Sequence, residues 1–195
     1  MSGKPDRWRC YFLCWHALLL SIINNAMGVT IHFSGRLKKS EDLETVISLG
    51  REFAMRKHCE VTRLDSEKKL LIRFKDGEEC DYEGPVRGIQ FHPDENCEPF
   101  VLEFDNDLFI QERCKTQFAG ISTHVEVIQL LRNIEPYFES LVVVDEGGFW
   151  ETTDIAVLEQ KFEVFFVAAE QMVKANPKLR GPIRLVNGRI LDLIG

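Results

Sequence analysis

The sequence predicts an α+β fold, a mostly antiparallel sheet with helices on one face. Short apolar–polar alternations typical of strands occur in both halves of the chain, and 3.6-residue apolar stripes typical of helices separate them. The predicted order is strand, helix, hairpin, hairpin, helix, strand, helix, hairpin. One arrangement compatible with this order is a ferredoxin-like split βαβ core, with the second hairpin inserted and the last helix and hairpin added. A chain of 195 residues with 45% apolar side chains suits one domain.

The first elements follow from simple patterns. Residues 29–33 alternate as a strand, and Ser40 stands at the expected N-cap of a helix over 41–57. Residues 60–74, "EVTRLDSEKKLLIRF", are interpreted as two strands around a polar turn. In the second of these strands the two faces carry Leu70, Ile72 and Phe74 on one side, and Leu71 and Arg73 on the other.

The middle of the chain repeats this logic and then becomes helical. Residues 87–104 predict a second hairpin around a Pro-bounded loop. Thr123 and Glu126 have the spacing of a capping box, which predicts a helix over 123–139. A short buried strand over 141–145 follows and is stopped by glycines.

The C-terminal third carries the clearest helix and a hairpin. Thr153 or Asp154 is expected to cap a helix with a long apolar stripe, made of Ile155, Leu158, Phe162, Phe165, Phe166, Ala169, Met172 and Val173. Asn187-Gly188 lies between two short apolar runs and predicts a hairpin over 183–193.

Residues 1–26 are interpreted as a leader that the fold does not need. Three basic residues precede the apolar run Tyr11–Ile23, which is too short to span a bilayer as a helix because about 20 residues are needed. The run has the length of an export signal, but Asn24 occupies the position where a small residue is expected before the cleavage site. The sequence thus predicts a structured domain over 27–195 with a dispensable leader or a start at Met27. It leaves open an export signal or anchor and, as the least favoured alternative, a folded part of the domain.

Charge and cysteine usage restrict the classes of partner and compartment. With 24 Lys+Arg against 31 Asp+Glu, the net charge is -7, the wrong sign for binding nucleic acid or an anionic bilayer. Six scattered cysteines with no Cys-x-x-Cys motif favour reduced, mostly buried thiols in a cytoplasmic protein. No cofactor is predicted, because there is no phosphate-binding glycine loop.

The longest stretch without a clean period offers candidate catalytic residues. It spans residues 103–122, and its carboxylates near a lysine have the composition of an acid–base site. The candidates are Asp105, Asp107, Glu112 and Lys115. A solvated turn that leads into the next element is the structural alternative.

The segment "DEGGFWETTD" offers candidate partner-binding residues. An aromatic pair flanked by acids can bind a partner, and the candidates are Glu146, Phe149, Trp150 and Glu151. The structural alternative needs no ligand: the glycines form a turn, Asp154 caps the next helix, and an aromatic side chain packs on the core.

Metal binding has little support in the sequence. Cys80, His92 and Cys97 could supply three zinc ligands, but their spacing matches no zinc-site template.

Two function classes remain. The first is a small acidic protein-interaction or regulatory module that binds a basic partner, and an immunity-type inhibitor is one example. The second is an enzyme whose carboxylate and lysine side chains converge from segments 105–117 and 145–151, with at least one carboxylate buried. The sequence favours the first class, because no catalytic motif is present.

Overall fold

The computed structural model describes residues 28–75 and 78–193. Strands and helices follow each other in the order β1, α1, β2 to β5, α2, β6, α3, α4, β7, β8. Their bounds are β1 Thr30–Leu37, α1 Glu41–Arg56, β2 Val61–Lys75, β3 Glu78–Phe91, β4 Phe100–Phe104, β5 Phe109–Lys115, α2 Gly120–Ile134, a 3-10 turn Glu135–Tyr137, β6 Phe138–Asp145, α3 Phe149–Thr152, α4 Ile155–Ala175, β7 Ile183–Arg184 and β8 Ile190–Leu191.

The strands form antiparallel sheets, which confirms the predicted α+β class. One sheet has the order β5-β1-β6, a second has the order β2-β3-β4, and β7 and β8 form a hairpin. A ferredoxin-like core would place the strands before and after the first helix in one sheet. Here β1 and β2 belong to different sheets, so the strand pairing differs from the ferredoxin-like arrangement.

The predicted polar turn within residues 60–74 is an irregularity inside one long strand. Between Ser66 and Lys69 the register of β2 against β3 shifts, and the pairing resumes beyond it. Opposite the shift lies Pro85, which has no N–H to donate to the ladder. The polar residues therefore form a β-bulge, and β2 and β3 continue as a single long hairpin.

Both large sheets share one core. Phe33 of β1 stacks on Phe100 of β4, with ring centroids 5.2 Å apart. Helix α1 packs closely on the second sheet at Gly50, where a Cβ atom would lie 2.9 Å from side-chain carbons of both Ile89 and Leu102. Glycine in the apolar stripe of α1 is thus a packing requirement.

The helix ends test three predicted caps. Asp154 caps α4 as predicted, since its Oδ1 accepts a hydrogen bond from the Ala156 N–H at 2.9 Å. Ser40 occupies the N-cap position of α1, but its side chain makes no capping hydrogen bond. The capping box at Thr123 is wrong: α2 already begins at Gly120, and Thr123 is a buried residue within it. The Asn187-Gly188 turn is confirmed, with Gly188 at a φ of 81°.

Candidate functional site

The distal half of the β2–β3 hairpin forms an arm, defined here as residues 69–75 and 78–84. Pairing along it runs from Lys69–Gly84 to Lys75–Glu78. Because side chains alternate across a strand, every second residue of β2 points to the same face. On that face three large apolar side chains are exposed to 59%, 62% and 49%, respectively Leu70, Ile72 and Phe74.

An acidic row lies directly beside this apolar row. In the ladder each apolar residue is opposite an exposed acid, and the pairs are Leu70–Glu83, Ile72–Asp81 and Phe74–Glu79. Residues directly opposite each other in an antiparallel pair project from the same face. The six side chains therefore form one surface, called the arm face below. Glu83 also contacts Lys68 at 2.7 Å, but this pair is exposed and contributes little.

A groove of about 840 Å³ separates the arm from the outer face of the β5-β1-β6 sheet. The apolar row forms one wall of the groove. The floor of the groove includes two pairs of residues that lie opposite each other on β6 and β1, Val142–Ser34 and Val144–His32. Val142 is 45% exposed, so apolar surface is present on both sides of the groove.

Gln111 of β5 attaches the end of the arm to the sheet. Its side-chain amide accepts a hydrogen bond from the Phe74 N–H at 2.8 Å and donates one to the Phe74 carbonyl at 3.0 Å. At the bulge, Lys69 pairs with the buried Glu103 at 2.6 Å. The arm is therefore fixed relative to the groove floor at both ends.

On the side opposite the apolar row, Arg73 attaches the arm to β5. Its side chain is 6% exposed, lies 5.5 Å from the Phe109 ring, and donates from Nη1 to the Gln111 carbonyl at 3.0 Å. Burial lowers the pKa of Arg73, and the nearby carboxylates Asp105 and Glu112 only partly oppose this. Among the described residues, its Nε and Nη2 have no hydrogen-bond partner.

The four candidate catalytic residues make structural contacts. Asp105 shapes the β4–β5 turn, since its Oδ1 accepts hydrogen bonds from the N–H groups of Asp107 and Phe109, both at 2.9 Å. Asp107 is exposed on that turn. Lys115 pairs with Asp192 of the C-terminal segment at 2.9 Å.

Of these four residues, Glu112 lines the groove. Burial raises the pKa of Glu112, and the adjacent Arg189, 2.9 Å away, only partly lowers it. Glu112 and Asp105 both face Arg73, whereas Lys115 is engaged with the C-terminal segment. The structure therefore does not join the carboxylates and the lysine in one open cleft.

The loop that follows β6 is organised by Asp145. Its carboxylate accepts hydrogen bonds from the N–H groups of Gly147 at 2.8 Å, Phe149 at 2.7 Å and Trp150 at 2.9 Å. Burial raises the pKa of Asp145, but hydrogen bonding and charge from His124 and the backbone N–H groups outweigh burial, so the pKa lies below its ordinary value. This loop matches the structural alternative considered for the sequence.

The candidate partner-binding residues on this loop differ in exposure. Phe149 is 9% exposed and belongs to the core, which corrects its prediction as a partner contact. Trp150 is half-buried, and the Arg132 guanidinium lies 5.1 Å from its ring. Glu146 accepts a hydrogen bond from the Thr30 N–H at 2.8 Å, and Glu151 is exposed. A surface role stays a prediction for these last three residues.

Thr116, His124 and Asp145 form a buried chain of polar side chains. Thr116 Oγ1 lies 2.7 Å from His124 Nδ1, and His124 Nε2 lies 3.0 Å from Asp145 Oδ1. The order resembles a nucleophile–base–acid arrangement, but His124 and Asp145 have no exposed side-chain surface and Thr116 is fully buried. A substrate cannot reach them in this conformation, so their role is to join β5, α2 and β6.

The candidate zinc ligands are not brought together. Cys80 is exposed on the arm, Cys97 is buried with its Sγ 3.5 Å from that of Cys114, and His92 Nδ1 lies 3.3 Å from the Cys97 carbonyl. Within residues 28–75 and 78–193, no three His, Cys, Asp or Glu side chains have a metal-binding arrangement.

The arm face is not among the candidate sites predicted from the sequence. The alternation of Leu70, Ile72 and Phe74 is visible, and so are the acids of "EECDYE" over residues 78–83. A hairpin turn at 76–77 would have placed the two patterns opposite each other. The polar residues of the bulge instead predict a turn before Leu70. With a turn at that point, the apolar row and the acidic row would not lie opposite each other.

Comparison with protein-family models, curated proteins and solved structures finds no match to this chain. In the part of the chain that the structure describes, no helix has the length and apolar character needed to cross a membrane.

Proposed function

We propose that this protein is a protein-interaction module whose arm face binds a basic segment of a partner protein. The observation that carries the proposal is the pairing of an exposed apolar row with an exposed acidic row on one hairpin, beside a groove. An apolar patch rimmed by charge is typical of a recognition surface.

The geometry favours an extended segment as the bound element. Acids two residues apart on one strand are about 7 Å apart, which is the spacing of alternate side chains in an extended chain. A segment that alternates apolar residues with Lys or Arg can place one set against the apolar row and the other against the acids. Leu70, Ile72 and Phe74 are already about half-buried, so covering the rest of each side chain contributes about 1–2 kcal/mol before the costs of association.

The charge of the whole chain supports a basic partner. A net charge of -7 attracts cationic proteins over about one Debye length, roughly 8 Å at physiological salt. An inhibitor of the immunity type, which blocks a basic protein by covering it, is one class that fits. We propose the cytoplasm as its location, and cell fractionation of the native host tests this against export.

The test is affinity capture from the native host with the full chain and three variants. The arm variant carries Leu70→Thr, Ile72→Thr and Phe74→Thr, and the charge variant carries Glu79→Gln, Asp81→Asn and Glu83→Gln. A control variant changes exposed apolar residues elsewhere, Met55→Thr, Val164→Thr and Val186→Thr. All changed side chains are exposed, so we expect each substitution to alter stability by less than about 0.5 kcal/mol.

Support for the proposal is a captured basic protein whose purified form binds the arm and charge variants at least about tenfold more weakly, equivalent to 1.4 kcal/mol, and binds the control normally. Retained binding by the arm variant contradicts the proposal. A Trp150→Ala chain is measured in parallel: loss of binding there, with normal binding by the arm variant, would transfer the site to the loop after β6.

A further inference from the structure

Helix α4 leaves half of its apolar stripe uncovered. Leu158, Phe162 and Phe165 in its first half are buried. Beyond them Phe166, Met172 and Val173 lie on the same stripe and are exposed to 47%, 42% and 39%. A contiguous apolar helix face open to water is unfavourable and marks a surface that is covered by something else.

The start of the described chain lies beside this uncovered face. The Val29 N–H donates a hydrogen bond to Gln117 Oε1 at 2.7 Å. The next residue, Phe118, packs edge-on against Phe165 and Phe166, with ring centroids 5.9 Å and 6.4 Å apart. The described chain therefore begins next to the point where the covered part of α4 ends.

The preceding segment has the composition and length to cover the face. Tyr11–Ile23 is a run of thirteen residues interrupted only by His16 and Ser21, and as a helix it would be about 20 Å long. The uncovered part of α4, from Phe165 to Ala175, is about 16 Å long. The four residues 24–27 can bridge at most about 14 Å.

Charge also complements this arrangement. Lys4, Arg7 and Arg9 precede the apolar run, and the exposed charges of α4 are three acids, Glu159, Glu163 and Glu170, and two lysines, Lys161 and Lys174. The excess of acids on α4 is compatible with a basic segment beside it.

We propose that residues 11–23 pack on the uncovered stripe of α4 within the same chain and complete its core. This inference is independent of the arm and opposes the interpretation of residues 1–26 as a dispensable leader. The structured unit would then begin within the leader.

The first test compares two methionines in the full chain. Met172→Asp places a charge on the stripe, and Met55→Asp places the same charge on an exposed site near the C-terminal end of α1. Both substitutions put an acid near a helix C-terminus, so the helix-dipole penalty is matched. If residues 11–23 cover α4, Met172→Asp lowers the melting temperature by at least about 5 °C more than Met55→Asp does. Equal shifts overturn the proposal.

The second test identifies what covers the face. In a full-length Cys80→Ser background, Ala169→Cys places a thiol in the stripe, and Gln171→Cys places one about 200° around the helix. A short bis-maleimide is added, and the linked peptides are identified by mass spectrometry. The expected product joins Cys10 or Cys14 to position 169 within one chain, at least about tenfold more than to position 171.

The other products each overturn the inference. A link between position 169 of two chains shows that a second copy covers the face. Equal linkage to positions 169 and 171 shows an unspecific encounter. The absence of any link from Cys10 or Cys14 to position 169 shows that the apolar run lies elsewhere.

Discussion

Asp145 holds three backbone N–H groups and a histidine at the end of a buried strand. The N–H donors belong to the turn and first residues of α3, and His124 Nε2 lies 3.0 Å from Oδ1. Desolvation of this carboxylate is offset by these partners. A buried hydrogen-bonding group that is left without its partner costs about 1–3 kcal/mol, and more where the lost partner is charged.

We expect Asp145→Asn to lower the free energy of unfolding by about 3 kcal/mol, because Asn has one acceptor oxygen where Asp has two and the three N–H donors lose an ionised acceptor. The measurement is urea denaturation of the purified full chain. Asp154→Asn is the control, because Asp154 is an exposed N-cap and Asn caps helices about as well as Asp. A loss for Asp145→Asn as small as that of the control would show that the buried carboxylate is not needed.

The same carboxylate predicts an acid dependence of stability. The pKa of Asp145 in the folded protein lies below its ordinary value of 3.8, so the folded state favours the ionised form. Its contribution is fully present above the unfolded pKa and is lost as the pH falls through the folded pKa. We expect the stability gap between the native chain and Asp145→Asn to narrow from about pH 5 downwards. A gap that stays constant in urea denaturation down to about pH 3 would contradict an ionic contribution.

At the scale of elements, the C-terminal hairpin depends on contacts with the body. Its strands have two residues each, too few for independent stability. Glu98 is 2% exposed, accepts a hydrogen bond from the Ile190 N–H at 2.7 Å, and pairs with Arg189 at 3.1 Å. Lys115 and Gln117 bind Asp192 beyond the second strand.

We expect Glu98→Gln to loosen this hairpin while the rest of the fold persists. The amide cannot retain the charge on which the Arg189 contact depends, so amide hydrogen exchange over residues 183–191 should accelerate at least about tenfold, or 1.4 kcal/mol of local stability. Glu95→Gln is the control, because Glu95 is exposed on the same loop. Unchanged exchange in Glu98→Gln would show that apolar contacts alone hold the hairpin.

Strand pairing alone does not explain the stability of the arm. Strand β4 pairs with β3 only along Arg87–Phe91, so residues 78–84 have no third strand among the described residues. A two-stranded ribbon is marginally stable in water. Hydrogen bonds of Arg73 and Phe74 with Gln111 of the adjacent sheet hold the arm in place. These contacts leave the arm face exposed.

At the scale of the whole molecule, the charge of -7 predicts how partner binding responds to salt. Attraction between exposed charges is screened as the ionic strength rises. We expect the association rate with the captured basic partner to fall by at least about tenfold between 50 mM and 500 mM salt. The association rate is measured by surface plasmon resonance, with the charge variant of the arm as the control. Salt-independent association, or the same response in the charge variant, would contradict a role for the acidic row.

Several elements could be predicted because their signals are local. The stripe of α1, the cap at Asp154 and the Asn187-Gly188 turn each depend on residues a few positions apart, and the structure confirms them. For the bulge between Ser66 and Lys69 the sequence predicts a turn, because polar residues between two apolar runs are typical of both structures. Local sequence does not distinguish a register shift from a reversal of the chain.

The surface proposed for partner binding differs from the one predicted from the sequence. A surface rimmed by acids was expected at residues 146–151, where Phe149 lies in the core. The proposed surface is on the arm, where Leu70 and Glu83 are direct neighbours although thirteen positions separate them. Alternation along β2 predicts which side chains share a face, but the identity of the opposite residue depends on where the hairpin turns.

The class of fold, the negative net charge and the apolar stripes of α1 and α4 follow from the sequence alone, because periodicity and composition are properties of consecutive residues. Three further features arise from the tertiary fold: β1 and β2 lie in different sheets, Asp145 contacts His124, and an acidic row lies beside an apolar one. These contacts join residues far apart in the chain, and many strand pairings satisfy the same alternation. Packing of both sheets and the helices into one core selects among them.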